Sequence, residues 1–208
     1  MSVVAAIKHE GKIYIGADSQ ATKGGSRSTL RNPNNYKVWK VSGSDHCLMA
    51  QVGDVRDGNV VRLMSDIVDD YDEYYDRVNY RFVVKYLVPE IVKNLKNYNY
   101  VKMNDDYLEY INSSFLFAYK DKLFLINSDC AVIEIEDYVA IGSGAQEAIG
   151  SLLSTEGEEP YSRIVKAIKA SAASDIYVDY PIVMSDTDST EFRIVNENNK
   201  EEIKAKGR

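Results

Sequence analysis

Ser2-Val3-Val4-Ala5-Ala6-Ile7-Lys8-His9-Glu10-Gly11-Lys12-Ile13-Tyr14-Ile15-Gly16-Ala17-Asp18 is the stretch whose reading decides the fold. Ser2 to Ile7 reads as a strand. His9-Glu10-Gly11 reads as a hairpin turn in which glycine supplies a positive φ. Lys12 to Ala17 returns, with Ile13 and Ile15 alternating with Tyr14 and Gly16. An antiparallel return brings the two ends of the stretch, Ser2 and Asp18, side by side. A small second residue such as serine permits removal of Met1, which would leave a free α-amine beside the Ser2 hydroxyl. Such an amine has a pKa near ~8 and can act as a general base without histidine. It works best with its pKa depressed, and a nearby ammonium does that by like-charge repulsion. Lys37, on the next predicted strand, is the candidate ammonium, and Asp18 the carboxylate that holds it. The chain has only two histidines, His9 and His46, and both flank turn signals, so a base other than histidine is expected.

Working outward, Lys23 to Asn35 is polar and reads as a loop. Tyr36 to Val41 and Cys47 to Val52 read as a second hairpin. The period then changes to three and four. Gly58 to Tyr75 is predicted as an amphipathic helix with an acidic end, and Asn79 to Tyr98 as a second helical stretch interrupted at Pro89. Asn97 to Asp106 reads as a loop. Strands are predicted at Ser114 to Tyr119, Leu123 to Asn127, Ala131 to Ile135 and Tyr138 to Ile141, the last ending in Gly142-Ser143-Gly144. Helices follow at Ala145 to Leu153 and Ser162 to Ala173. Asp175 to Val183 and Thr190 to Val195 read as strand-like. Strands and helices come in blocks, which argues for an α+β fold with antiparallel sheets rather than a doubly wound parallel one. One domain is expected over residues 1–195, followed by a frayed, polar C-terminal tail over 196–208.

The composition narrows the function classes. The chain has 208 residues, 45% of them hydrophobic, and a net charge of −7. That suits a well-filled core and argues against nucleic-acid or anionic-membrane binding, which need a basic face. No apolar run is long enough to span a bilayer, and the N-terminus lacks the basic region of a signal peptide. A cytoplasmic protein is expected. Cys47 and Cys130 make neither a disulfide framework nor a zinc site. Asp129, Asp186 and Asp188 lack the glycine and terminal glutamate of a calcium loop and read as solvated turns. No metal and no cofactor is expected.

At this point the residues resemble a known family. Ser2 through Thr22 is similar to the start of proteasome β-type subunits, and most similar to the bacterial peptidase of the HslV type, whose mature chain begins with a nucleophilic Thr and carries an Asp sixteen residues on. Ser2 and Asp18 have the same spacing. Tyr36-Lys37-Val38-Trp39-Lys40 resembles the segment with the family's catalytic lysine. Met49-Ala50-Gln51-Val52-Gly53 resembles the segment whose glycine N–H forms the oxyanion hole. Ala140-Ile141-Gly142-Ser143-Gly144-Ala145 resembles the Ile-Gly-Ser-Gly motif, and Ala173-Ser174-Asp175-Ile176-Tyr177 the late stretch whose Asp supports that serine. The resemblance covers residues 2–183. It implies a four-layer αββα sandwich of the N-terminal-nucleophile hydrolase fold. The implied site residues are Ser2, Asp18, Lys37, Gly53, Ser143 and Asp175.

It further implies amide-bond hydrolysis of a peptide or unfolded-protein substrate inside a homo-oligomeric ring, with any unfoldase ATPase being a separate chain, since no ATP motif is present. The departures are a serine where the family has threonine, a longer loop after Lys23, and Tyr177-Val178 where a second supporting serine is expected. These motivate an alternative, an inactive proteasome-fold subunit with an assembly role. A weaker alternative is hydrolysis of a small amide.

Overall fold

The computed structural model describes residues 2–64, 67–68, 77–98, 102–104, 107–198 and 201–205. The opening hairpin forms as β1 (Val3–His9) and β2 (Lys12–Ala17), in register from Val4 opposite Ala17 to His9 opposite Lys12. Its turn uses Glu10 and Gly11 at φ 48° and 75°, the left-handed pair that matches strand twist. Next come the ribbon β3 (Gln20–Lys23) and β4 (Ser26–Thr29), then β5 (Val38–Lys40) and β6 (Cys47–Gly53). Helix α1 (Val55–Val61) follows. Tyr80–Phe82, a π-helical turn Val83–Leu87 and Val88–Asn97 run on as one helix, α2. The second half holds β7 (Lys102–Asn104), β8 (Tyr107–Tyr110), β9 (Ser113–Tyr119), β10 (Lys122–Ile126), β11 (Val132–Ile135) and β12 (Tyr138–Gly142). Helices α3 (Ala145–Ser154) and α4 (Pro160–Ser174) precede β13 (Ile182–Asp186), β14 (Glu191–Val195) and β15 (Glu201–Ala205).

One sheet has the order β12-β1-β2-β13-β14-β15 and the other β11-β10-β9-β6-β5, with antiparallel pairing throughout. Side-chain alternation divides the apolar residues into three clusters. In β1, Val4 and Ala6 turn inward with Ile13, Ile15, Val38, Leu48, Ala50, Leu116 and Ile141 to fill the space between the sheets. Val3, Ala5 and Ile7 turn outward against Leu152, Ile164 and Ile168 of α3 and α4. On the other side Met49, Phe115, Phe117 and Phe124 meet Val61, Val83, Leu87 and Ile91 of α1 and α2. The result is the expected α+β sandwich of four layers, αββα. The central strands β1 and β6 are covered on both faces, which is why they read as near-continuous apolar runs.

Several boundaries differ from the sequence reading. The helix predicted from Gly58 starts earlier, at Val55, because the Asp54 carboxylate caps it by accepting from Arg56 N. It ends at Val61. Residues 65–66 and 69–76, where the rest of that prediction falls, lie outside the described residues. The segment Lys23 to Asn35 is not all loop: Gly24 and Gly25, at φ 57° and 82°, turn β3 into β4. β7 lies within the predicted loop Asn97 to Asp106. The strand expected from Asp175 begins only at Ile182. Asp175 instead ends α4 and opens a turn in which Val178 N–H donates to its carbonyl. The polar tail contains β15, paired with β14 at the sheet edge. The side chains of Glu201 to Lys204 are exposed there, so backbone pairing and rim contacts such as Arg193 to Glu201 hold it, and no apolar pattern announced it.

No helix among the described residues is long and apolar enough to cross a membrane.

Candidate active site

The hairpin register decides the site. Pairing of Val4 with Ala17 leaves Ser2 and Asp18 as the residues just beyond the open ends of β1 and β2. Asp18 is locked there by backbone donors. Its Oδ1 accepts from Val3 N at 3.0 Å and its Oδ2 from Gln20 N at 2.9 Å. Lys37, one residue before β5, crosses from the second sheet. Its Nζ donates to Asp18 Oδ1 at 2.7 Å and to Ser2 Oγ at 2.7 Å. The pair is nearly dry, with Lys37 8% and Asp18 0% exposed at the side chain. Burial lowers the Lys37 pKa below the ordinary lysine value, and Asp18 opposes the fall.

From the other edge, β12 pairs with β1 so that Val3 faces Gly142. Gly142 has φ 105°, and a Cβ there would lie 2.1 Å from the Ser2 carbonyl oxygen. Only glycine lets the chain approach Ser2 so closely. Ser143 follows at once: Ser2 N donates to its Oγ at 3.1 Å, and that hydroxyl donates to Ser2 O at 3.3 Å. Ser171 of α4, fully buried, donates to Gly144 O at 2.6 Å and ties the Gly142–Gly144 turn to the helix layer. Gly53, at the end of β6 with φ 119°, lines the same cleft as Ser2 and Lys37.

Four of the six sequence-predicted residues, Ser2, Asp18, Lys37 and Ser143, therefore form one hydrogen-bonded cluster, and Gly53 borders it. Asp175 is the exception. Its Oδ1 accepts from Tyr177 N at 2.9 Å, its Oδ2 is buried without a partner, and it reaches Lys37 through its field rather than through a bond. The expected contact from Asp175 to Ser143 is absent among the described residues; the serine bonds Ser2 instead. The sequence reading missed Gln20, whose side-chain amide donates to Ile176 O, and Arg62, which lines the cleft from the end of α1. A glutamine beside Asp18 and an arginine on a helix carry no signal of their own in a single sequence.

A family model described as proteasome subunit matches residues 2–185. The chain belongs to the proteasome subunit family. Solved structures agree on the fold. A Thiobacillus denitrificans protein designated BPH is 18% identical, with TM-score 0.68 over 88% of this chain and 96% of that one. The same protein has been solved in complex with epoxomicin, again at 18% identity, with TM-score 0.67 over 88% of this chain and 97% of that one. The eukaryotic HslV of Trypanosoma brucei is 14% identical, with TM-score 0.63 over 88% of this chain and 98% of that one. No curated protein sequence matches. In this proteasome-family chain, the hairpin that opens the sequence is thus also the element that carries the candidate nucleophile.

Proposed function

We propose that this chain is an N-terminal-nucleophile peptidase in which Ser2 is the nucleophile once Met1 is removed. The observation that carries the reading is Lys37 Nζ, bonded at 2.7 Å to both Ser2 Oγ and Asp18 Oδ1 in a buried pocket. An ammonium on the hydroxyl oxygen stabilises developing negative charge there and depresses the pKa of an adjacent amine. In the proposed reaction Ser2 Oγ attacks the substrate carbonyl, and its proton passes to the Ser2 amine, through a water. Negative charge then develops on the carbonyl oxygen. Backbone alternation supports Gly53 N–H as its donor: Asp54 N bonds Asn112 O on the β9 side, so the preceding N–H turns the other way, past the end of β5. The amine returns the proton to the leaving nitrogen as the C–N bond breaks. Water, activated by the same amine, then hydrolyses the ester and regenerates Ser2. Ser143 positions the amine, and Asp175 acts at longer range on Lys37.

Family membership supports a peptide or unfolded-protein substrate, a homo-oligomeric ring, a cytoplasmic setting and a separate unfoldase ATPase as parts of the same proposal. Beside the departures in sequence, the missing Asp175–Ser143 bond favours the alternative, an inactive subunit with an assembly role. The test uses epoxomicin, which carries two electrophilic carbons suited to a hydroxyl and an adjacent free amine. Intact mass and N-terminal sequence are measured before and after exposure. Loss of Met1 with a single adduct on Ser2, absent in Ser2→Ala, supports the enzyme. Retained Met1, or a free Ser2 that never reacts, supports the assembly role.

A further inference from the structure

We infer that the cleft beside Ser2 selects an acidic side chain on the substrate residue whose carbonyl is attacked, and that Arg62 is the residue that reads it. The inference rests on the peptidase reading and adds a substrate class to it. Two charged residues line the cleft, Lys37 and Arg62, and both are cationic. The Lys37 charge is matched by Asp18. Arg62 has no carboxylate within ion-pair distance among the described residues. Its Nη1 donates to Pro33 O at 3.1 Å, its Nη2 donates to Tyr36 O, and its guanidinium lies 4.7 Å over the Trp39 ring. These contacts hold the fork still but bring no described carboxylate to its charge, and its buried Nε has no partner among the described residues. Burial lowers its pKa to about 10, so it stays charged at neutral pH.

An immobilised, partly desolvated guanidinium with donors to spare is suited to a carboxylate. A neutral side chain would leave it unpaired, and a basic one would be repelled. The buried carboxylate of α1, Asp57, does not line the cleft. It accepts from Ser113 Oγ at 2.9 Å behind Gln51. The adjoining cleft shares Gly53 and Asn59 and adds Lys23 and Arg56 against Asp54 alone. In a chain of net charge −7, the charged side chains lining these two clefts are thus mostly cationic.

The test compares peptide vinyl sulfones identical except for the residue bearing the warhead, with Glu, Gln, Leu or Lys there. The protein is the full chain with Met1 removed, and epoxomicin labelling serves as the reference. The expected result is labelling by the Glu compound about tenfold or more faster than by the Gln compound, with Lys slowest. Arg62→Gln should collapse the Glu/Gln ratio towards one. Arg62 also anchors the turn at Pro33, so a second variant guards against misfolding. Asn59→Asp places a carboxylate on an exposed position one helical turn away and should lower the same ratio with the fold kept. Equal Glu and Gln rates, or a ratio that Asn59→Asp leaves unchanged, overturns the inference while epoxomicin labelling upholds the peptidase reading. Failure of epoxomicin to label Ser2 overturns that reading and the inference with it.

Discussion

Gly142→Ala puts the geometry of the site to its hardest test. A Cβ at this position would lie 2.1 Å from Ser2 O and 2.9 Å from Ser2 C. Ordinary C···O approaches are about 3.3 Å, so the overlap exceeds ~1 Å, and both atoms met are backbone. The φ of 105° adds strain that alanine cannot relieve in place. Strain and overlap together cost roughly 4 kcal/mol. For a chain of this size that lowers the melting temperature by roughly 8–16 °C. Relief requires Ser2 to move by about 1 Å, which slows attack about 100-fold. The assay is calorimetry beside the second-order rate of epoxomicin labelling. Gly157→Ala is the control. It has φ 86° with nothing within 4 Å of its Cβ, so it bears strain alone, about 1 kcal/mol or slightly more, and should label at the wild-type rate. Equal results for Gly142→Ala and Gly157→Ala in both measurements would refute a role for glycine in the close approach of β12 to Ser2.

Lys37→Met should slow labelling by about 10²–10³-fold and destabilise the fold by roughly 3 kcal/mol, because Asp18 is left buried with backbone donors only. Adding Asp18→Asn should restore much of the stability in urea unfolding but none of the labelling. The Lys37 pKa is lowered by burial, so the folded state binds its proton less tightly than the unfolded chain. The charge therefore costs stability at neutral pH, and the cost fades as pH rises through the lowered value towards the ordinary lysine value of about 10.4. A pH profile of labelling should accordingly fall on its alkaline side below ~10.4, and an alkaline limb at or above that value contradicts the assignment. Tyr161→Phe removes a 2.6 Å bond from Tyr161 Oη to Asp186 Oδ2. It should cost about 1–3 kcal/mol by calorimetry and leave labelling at the wild-type rate, since neither residue lines the cleft.

The opening hairpin was legible because strand alternation, a Glu-Gly turn and two ends of matched length are local features. From these alone Ser2 and Asp18 come together, and Lys37 enters as the cation their chemistry needs. The blockwise order of strands and helices likewise points to the α+β class, since strands adjacent in sequence pair antiparallel and the helices that follow them cover one face of a sheet. Element ends were less legible. The Asp54 cap that starts α1 early, the glycine pair that folds Lys23 to Asn35 into a ribbon, and the polar edge strand β15 all depend on single hydrogen-bonded residues or on backbone pairing, which leave no periodicity to read. The sequence by itself thus determined the α+β class, the hairpin that carries the candidate nucleophile and the residue types of the candidate site. Tertiary structure decided what long-range contacts alone can decide: that Ser143 bonds Ser2 while Asp175 does not reach it, and that Arg62, at the end of a helix packed against the other sheet, lines the cleft of Ser2 with no counter-charge among the described residues. Residues so far apart in the chain meet only through the packing of two sheets and two helix layers, and no spacing in the sequence encodes that packing.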